Sequence, residues 1–571
     1  MKLKASTGRK LRYGGTSIAL TALIIAAVVI LNALVTMLVT KFALYVDLTP
    51  DLHFTISDEC YDLIGLEDPD DENDTPIEMV KKFREENKAY NEQNGLSQGD
   101  EGARDEELTI NIVFLEDKDV LQSDSITNYV VVNAEELRAK YPDYIKTEYV
   151  DAVEKPSRFT KYLTSNSDSI AGDSVIIECG TEYRIRTLRS FYIFANDETP
   201  TAYNGEKALA SSILAVTRAE APLACYTVNH GESFPQSAIV DTPAPFITSL
   251  EDAGYEVRPI DLAKEDIPAE CRLLIVFDPK QDFSTGNDGI SEVSELDKLD
   301  RFLFDRNSMM VFMNPRSYGD GNSRLDNFED FLEEWGLSIA RQGDDPYMVN
   351  DKSSTIMGST SAIVADYGNA DIVSGWCENM LNKSTPPKVV FPNSAAVTYA
   401  NGYDRKLVTS ENDENVQYYL GYSATHNRTV YDMFYAPEGA VATAGGLEIA
   451  QSTKTNPLSL MSVSVETFNE QEYSGSITDS AYVLLCGSTE FATEKYLTSN
   501  TYGNSDFMLN ALQMAGREPV PVGLAYKEFA NYTIESITSA EATTYTVIFT
   551  LAPIVLASVV GVFVIVRRKN R

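Results

Sequence analysis

Two long uncharged runs frame a chain whose interior alternates short apolar strands with amphipathic helices. The first, "TSIALTALIIAAVVILNALVTMLVT" (Thr16 to Thr40), and the second, "YTVIFTLAPIVLASVVGVFVIV" (Tyr545 to Val566), each reach the roughly 20 apolar residues that span a bilayer. The first is longer than the roughly 7–15 residue core of a signal peptide, and no small-residue cleavage site follows it. It predicts a retained anchor. Pro553 is tolerable inside a membrane helix, where neighbouring groups re-satisfy the freed carbonyl. Residues 1–15 carry Lys2, Lys4, Arg9, Lys10 and Arg12, and residues 567–571 carry Arg567, Arg568, Lys569 and Arg571. The positive-inside rule therefore predicts two passes through a cell membrane, with both basic tails cytoplasmic and everything between the spans on the outer face.

Residues 41–107 read as a stalk and an acidic insertion. "YVDLTPDLHFTISDECYDLI" starts extended, then predicts a helix capped by Ser57 with Cys60, Leu63 and Ile64 on one face. Residues 67–107, including "EDPDDENDTPIE", predict a solvated, mobile insertion. Their carboxylates suit calcium, but the stretch does not fit the EF-hand pattern with its glycine at the sixth position.

A first external α/β domain is expected over 108–218. "LTINIVFLED" and "YIKTEYVDAV" are strands, "NAEELRAKYPD" is a helix, and "DSVIIECGTEYRIRTL" is a hairpin around Gly180. A second is expected over 219–530. Its strands are "LACYTV", "YEVRPIDL", "CRLLIVFDP" and "SMMVFMNP", with a helix stopped by Gly254 and another carrying Val293, Leu296, Leu299, Phe302 and Leu303 at helical spacing. A third helix has Ser323 and Asp326 as a capping box, a stripe of Leu325, Phe328, Phe331, Leu332 and Trp335, and a stop at Gly336. Residues 345–475 read as a β-rich insertion, after which "SAYVLLCGSTEFA" is expected to rejoin the sheet begun at Leu223. The fold class that results is α/β: two transmembrane helices, one at each end, flank a large external region of two flavodoxin/Rossmann-like units.

Charge narrows the function. With 85 acidic against 47 basic residues and a formal charge of −38, the chain lacks the clustered cations that nucleic-acid binding needs. The six cysteines (Cys60, Cys179, Cys225, Cys271, Cys377, Cys486) show neither C-x-x-C nor zinc spacing. The three histidines (His53, His230, His426) are too scattered for a metal site, and no P-loop, H-E-x-x-H or G-x-S-x-G motif occurs. No cofactor, metal or catalytic residue is assigned.

One stretch invites chemistry. "CYTVNHGESF" (225–234) puts His230, Glu232 and Ser233 just past a strand's C-terminal end, where open α/β sheets bind ligands. A general base oriented by Glu232 is conceivable, but no nucleophile sits on a strained turn and Cys225 lies inside the strand. The loop reads first as a polar strand closure, with Asn229, His230 and Glu232 as candidate binding residues.

Taken together, the segments resemble the GldG-like family, auxiliary components of gliding-motility-type ABC transporters in bacteria. The resemblance rests on the N-terminal anchor followed by Asp47, Leu48, Thr49 and Ser57; on "EYVDAVEKP"; and on "YTVNHGE", with Asn229 where a first glycine is usual. It rests also on "CGSTEFATEKYLTSNTYGNSDFMLNAL", with Gly487, Phe491, Asn504 and Asn510 matching and Ser488 and Thr489 replacing an Asp and a Ser, and on the final span with its basic stop. It implies a non-catalytic subunit working with an ABC ATPase subunit and a multi-span permease subunit, its external region holding a substrate or cell-envelope ligand. A membrane-anchored surface hydrolase using the His230 loop, or a cell-surface scaffold or adhesin, are the alternatives.

Overall fold

The computed structural model describes residues 23, 25–34, 52–65, 75–124, 127–151, 154–162, 170–194, 200–218, 222–236, 244–286, 293–316, 324–353, 356, 358–383, 385–423, 425, 427–472, 475–498, 501–517, 519–524, 526–529, 550, 566 and 567. Residues 1–527 form one compact unit, so the expected boundary at 218/219 falls inside it; residues 528–571 form a second. Among the described residues no helix is long and apolar enough to cross a membrane. The spans expected over 16–40 and 545–566 lie mostly outside those residues, although 25–34 are helical, with apolar side chains such as Ile25, Val29 and Leu31 exposed.

The chain is a mixed α/β structure. Helix α1 (Asp58–Gly65) buries Cys60 and Ile64, and Ser57 Oγ accepts the Cys60 N–H at 3.3 Å. The next segment departs from the mobile insertion expected there. Helix α2 (Pro76–Asn94) starts with proline in its first turn and ends at Gly95 in the left-handed region. Its Ile77 and Val80 are buried, and Arg84 donates to the carbonyls of Leu108 and Asp143, both at 2.7 Å. Buried Asn91 then holds the following loop through Arg104 and Glu106. Acidic composition hid these few anchoring contacts.

The first sheet comprises β1 (Ile110–Phe114), β2 (Ile145–Tyr149), β3 (Ser174–Cys179) and β4 (Glu182–Thr187), in the order β2-β1-β3-β4. Only β1 and β2, joined across α3 (Thr127–Lys140), are parallel. The tight turn at Gly180 (φ +64°) allows β3 and β4 only antiparallel pairing, so this half is a small mixed sheet and not a Rossmann-like one.

Helix α4 (Gly205–Thr217) follows, with all 13 of its residues buried, and packs against β3, β4 and α1 to α3. The large sheet contains β5 (Leu223–Thr227), β6 (Glu256–Ile260), β7 (Cys271–Phe277), β8 (Ser308–Phe312), β9 (Asp404–Thr409), β10 (Gln417–Tyr422), β11 (Arg428–Tyr435), β12 (Ser459–Glu472) and β13 (Gly475–Cys486). Its main path is β9-β10-β11-β12-β13-β8-β7-β5-β6. The strands β6-β5-β7-β8-β13 are parallel, in the 2-1-3-4-5 order of flavodoxin-like sheets. The 345–475 segment is therefore largely an antiparallel extension of this sheet, with a short helix (Asp371–Trp376) inside it.

Both faces of the parallel strands are covered. Leu299, Phe302 and Leu303 of α6 (Leu296–Phe304) and Phe328, Phe331 and Leu332 of α7 (Asp326–Glu334) pack over Cys225, Leu274, Val311 and Leu485. Phe246 and Leu250 of α5 (Pro245–Asp252), with Phe507 and Leu512 of α8 (Asn504–Gly516), cover the alternate residues Ala224, Leu273, Ile275 and Leu484. Each such Leu or Phe contributes about 1.5–3 kcal/mol. Val293 lies before α6 and is exposed. Of the capping box expected for α7, Ser323 lies outside the described residues and Asp326 is the helix's first residue; Asp282, from a distant loop, accepts the N–H groups of Asn327 and Phe328 at 2.9 and 3.0 Å.

The two sheets are joined by Arg186 on β4. Its guanidinium donates to Asp252 Oδ1 at the end of α5 (2.9 Å) and to Ser212 and Ser211 Oγ on α4 (2.8 and 3.1 Å). Arg186→Ala leaves the Asp252 carboxylate buried without its cation. We expect about 3 kcal/mol of destabilisation, read as a lower urea midpoint; a midpoint unchanged from wild type rules out a stabilising role for the pair.

Candidate functional site

The loops that follow β5 and β7 meet where the strand order of the parallel sheet reverses, the usual ligand crevice of such folds. Past β5 the chain makes a sharp excursion, because Asn229 (φ +85°) and Gly231 (φ +76°) both adopt left-handed backbone around His230. Asparagine is among the few side chains that tolerate this region. That accounts physically for the glycine usual at position 229 in the family resemblance. A Cβ on Gly231 would stand 3.0 Å from Lys280 Cβ, so the site also needs a bare backbone.

His230 is buried, and every polar atom it carries is engaged. Its N–H donates to Glu232 Oε2 (2.7 Å), and its carbonyl accepts the N–H groups of Lys280 and Gln281 (2.8 and 2.9 Å). Nδ1 lies 3.0 Å from Glu232 Oε1, and Nε2 lies 3.1 Å from Glu295 Oε2. The ring stacks on Phe283 at 3.8 Å, which in turn stacks on Phe328 of α7 at 4.5 Å. Burial opposes charge on the imidazole, but the hydrogen bonds and charges of Glu232 and Glu295 outweigh it and lift His230 to about 9. Burial also pushes Glu232 up, yet the facing imidazolium holds it below its ordinary value. As an imidazolium donating from both nitrogens, His230 has no lone pair with which to act as a base.

The opposing loop is bound in the same way. Asp278, left-handed at the end of β7 (φ +53°), accepts Ser233 Oγ at 3.0 Å and pairs with Lys280 Nζ at 2.5 Å. Glu295 also accepts the Ser284 N–H at 2.8 Å. The arrangement closes two loops on each other over a buried aromatic stack. Asn229, Gly231 and Ser233 remain exposed at the surface of this knot. Sequence reasoning joined His230 to Glu232 but missed Glu295, Asp278, Phe283 and Asp282. The nearest signal was the position of Glu295 at the mouth of an amphipathic helix.

The other residues singled out in the sequence are placed as follows. His53 is buried, its ring 5.4 Å from that of Tyr129, and His426 lies outside the described residues. Among the described residues no group of three or more His, Cys, Asp or Glu side chains is placed to hold a metal, and the six cysteines are buried and unpaired by disulfides. In the late turn, a Cβ on Gly487 would collide with the Ala395 carbonyl at 2.1 Å, and Ser488 Oγ donates to the Pro392 carbonyl. Asn504 exchanges two hydrogen bonds with the backbone of Val390 (2.9 and 2.8 Å), while Asn510 donates to Asn379 Oδ1 at 2.8 Å. These resemblance-bearing residues brace the turn against the β-rich segment.

Residues 221–356, which contain this knot and most of the parallel sheet, match the family model described as "ABC-type uncharacterized transport system", an auxiliary component of ABC-type transport. No curated protein matches the chain. Among solved structures, the one described as "mmIFT52 N-terminal domain" aligns over 52% of this chain and 99% of its own, at 13% identity and a TM-score of 0.33.

The His230 knot predicts a pH response of definite sign. Because its pKa rises from 6.5 to about 9 on folding, its contribution is full below pH 6.5 and is lost as the pH climbs through about 9. Unfolding free energy is expected to fall by roughly 3 kcal/mol across that window. His230→Gln should flatten the profile, and equal slopes for variant and wild type would remove the imidazolium from the account.

Proposed function

We propose that this chain is a non-catalytic, membrane-anchored auxiliary subunit of an ABC-type transport system, of the kind the GldG-like resemblance implies. The observation that carries the reading is the family match over residues 221–356, which coincides with the doubly wound part of the large sheet. Anchoring is supported by the uncharged runs Thr16 to Thr40 and Tyr545 to Val566 with their basic outer flanks. It is supported further by the meeting of the two ends of the intervening region, where Lys527 Nζ donates to the carbonyls of Leu52 (2.8 Å) and Thr55 (2.5 Å). Such an arrangement suits a region that leaves the bilayer and returns to it at one place.

In this reading both tails are cytoplasmic and residues 41–544 lie outside. ATP hydrolysis comes from a partner chain, since no P-loop occurs here, and the apolar spans dock to a multi-span permease. The exposed surface of the switch-point knot, with Asn229 and Ser233, is the face offered to a substrate or cell-envelope ligand. The hydrolase alternative loses its intended base, because both His230 nitrogens donate to carboxylates.

A mild-detergent pull-down of the tagged full-length protein from its native membrane tests the reading. We expect a P-loop ATPase and a multi-span permease in near-stoichiometric amounts, with both tails protected from protease added outside sealed cells. Recovery of the protein alone even after cross-linking overturns the transport assignment and leaves the scaffold alternative.

A further inference from the structure

The contact between Lys527 and residues 52–57 involves more than the hydrogen bonds of one ammonium. Glu206, in the first turn of α4, is buried, and its Oε2 accepts Ser57 Oγ at 2.5 Å and the Ser57 N–H at 3.2 Å. Its Oε1 pairs with Lys527 Nζ, the same ammonium that holds the Leu52 and Thr55 carbonyls. One buried carboxylate and one ammonium, 13% exposed, thus tie together three segments: the chain just after the first uncharged run, the chain just before the second, and a helix with no solvent-facing side. The neighbouring Lys207 caps the Tyr526 ring at 4.3 Å, adding a second tie between α4 and the C-terminal end. Helix α4 then runs to Ser211 and Ser212, where Arg186 and Asp252 clamp the two sheets.

We infer that Glu206, Ser57 and Lys527 form a single joint that makes the two membrane-proximal ends move as one body and delivers their movement to α4. This rests on the membrane-anchored reading. The chemistry fits a joint better than a loose strap. A buried carboxylate that loses its cation is strongly unfavourable, so the three segments separate together or not at all. A helix packed on all sides has no direction in which to absorb the displacement locally, so it passes along the helix to the Arg186 clamp.

The test is hydrogen exchange of the full-length protein in detergent, comparing wild type with Lys527→Met. Loss of the cation should speed exchange in residues 52–65 and 205–217 by about tenfold or more, with β7 and β8 unchanged. Glu206→Gln, an isosteric change, should reproduce the pattern, and it serves as the test if Lys527→Met fails to fold; Lys527→Arg should preserve protection. Protection of 52–65 that survives removal of the Lys527 charge overturns the joint, because the ends are then held independently. Loosened ends with α4 still protected overturn the transmission. Failure of the membrane reading has a different signature: the tails become open to protease in sealed vesicles while the exchange pattern persists.

Discussion

The structure of residues 1–527 depends on the burial of α4. A helix of 13 wholly buried residues that includes Glu206, Lys207, Ser211, Ser212 and Thr217 cannot rely on water to satisfy its polar groups. The hydroxyls solve this locally: Ser211 and Ser212 donate back to the Ala208 carbonyl and Thr217 to that of Ile213. The charged groups cannot be satisfied within the helix. Glu206 requires Ser57 and Lys527, and the buried Asp252 beside the helix requires Arg186 from the first sheet. Each requirement specifies the position of a segment remote in sequence. The small mixed sheet, the large sheet and the segments around Ser57 and Lys527 are thereby brought to one helix.

The same logic explains what could be read from the sequence alone. The hairpin at Gly180, the amphipathic stripe of α7 and the return of "SAYVLLC" to the sheet are signalled locally, by a turn residue, a helical period and an apolar run. The contacts that organise the molecule are not local. Glu295 reaches His230 across 65 positions, Asp282 caps a helix that begins more than forty residues later, and Lys527 bonds a carbonyl near the other end of the unit. No periodicity announces such partners. Helix α2 is the instructive miss, because its acidic, amide-rich composition imitates disorder while a capped N-terminus, two buried aliphatics and one well-placed arginine hold it in place.

At the switch point, the loops that commonly cradle a ligand in a doubly wound sheet are here bound to each other. An imidazolium between two carboxylates, an Asp–Lys pair and a His–Phe–Phe stack hold these loops together. The left-handed backbone of Asn229 is the conformational cost, Gly231 adopting its own freely, and the hydrogen bonds from Lys280 and Gln281 to the His230 carbonyl offset it. Such a knot gives the edge of the sheet a fixed shape at the expense of a reactive one. That trade suits recognition or contact better than turnover.

The charge imbalance takes on structural meaning in this light. A chain with 85 acidic and 47 basic residues has few cations to distribute, and many of them sit beside buried or half-buried carboxylates. Arg158 and Lys161 converge on Glu178, Arg341 on Glu329, and Lys118 and Arg138 on Glu135, whose pKa falls to about 2 because these partners and Tyr149 outweigh the opposing effect of burial. Loss of a single interior cation therefore does more than alter surface charge. It strands a carboxylate, and at Asp252 and Glu206 that carboxylate sits where the two sheets and the segments around Ser57 and Lys527 are held.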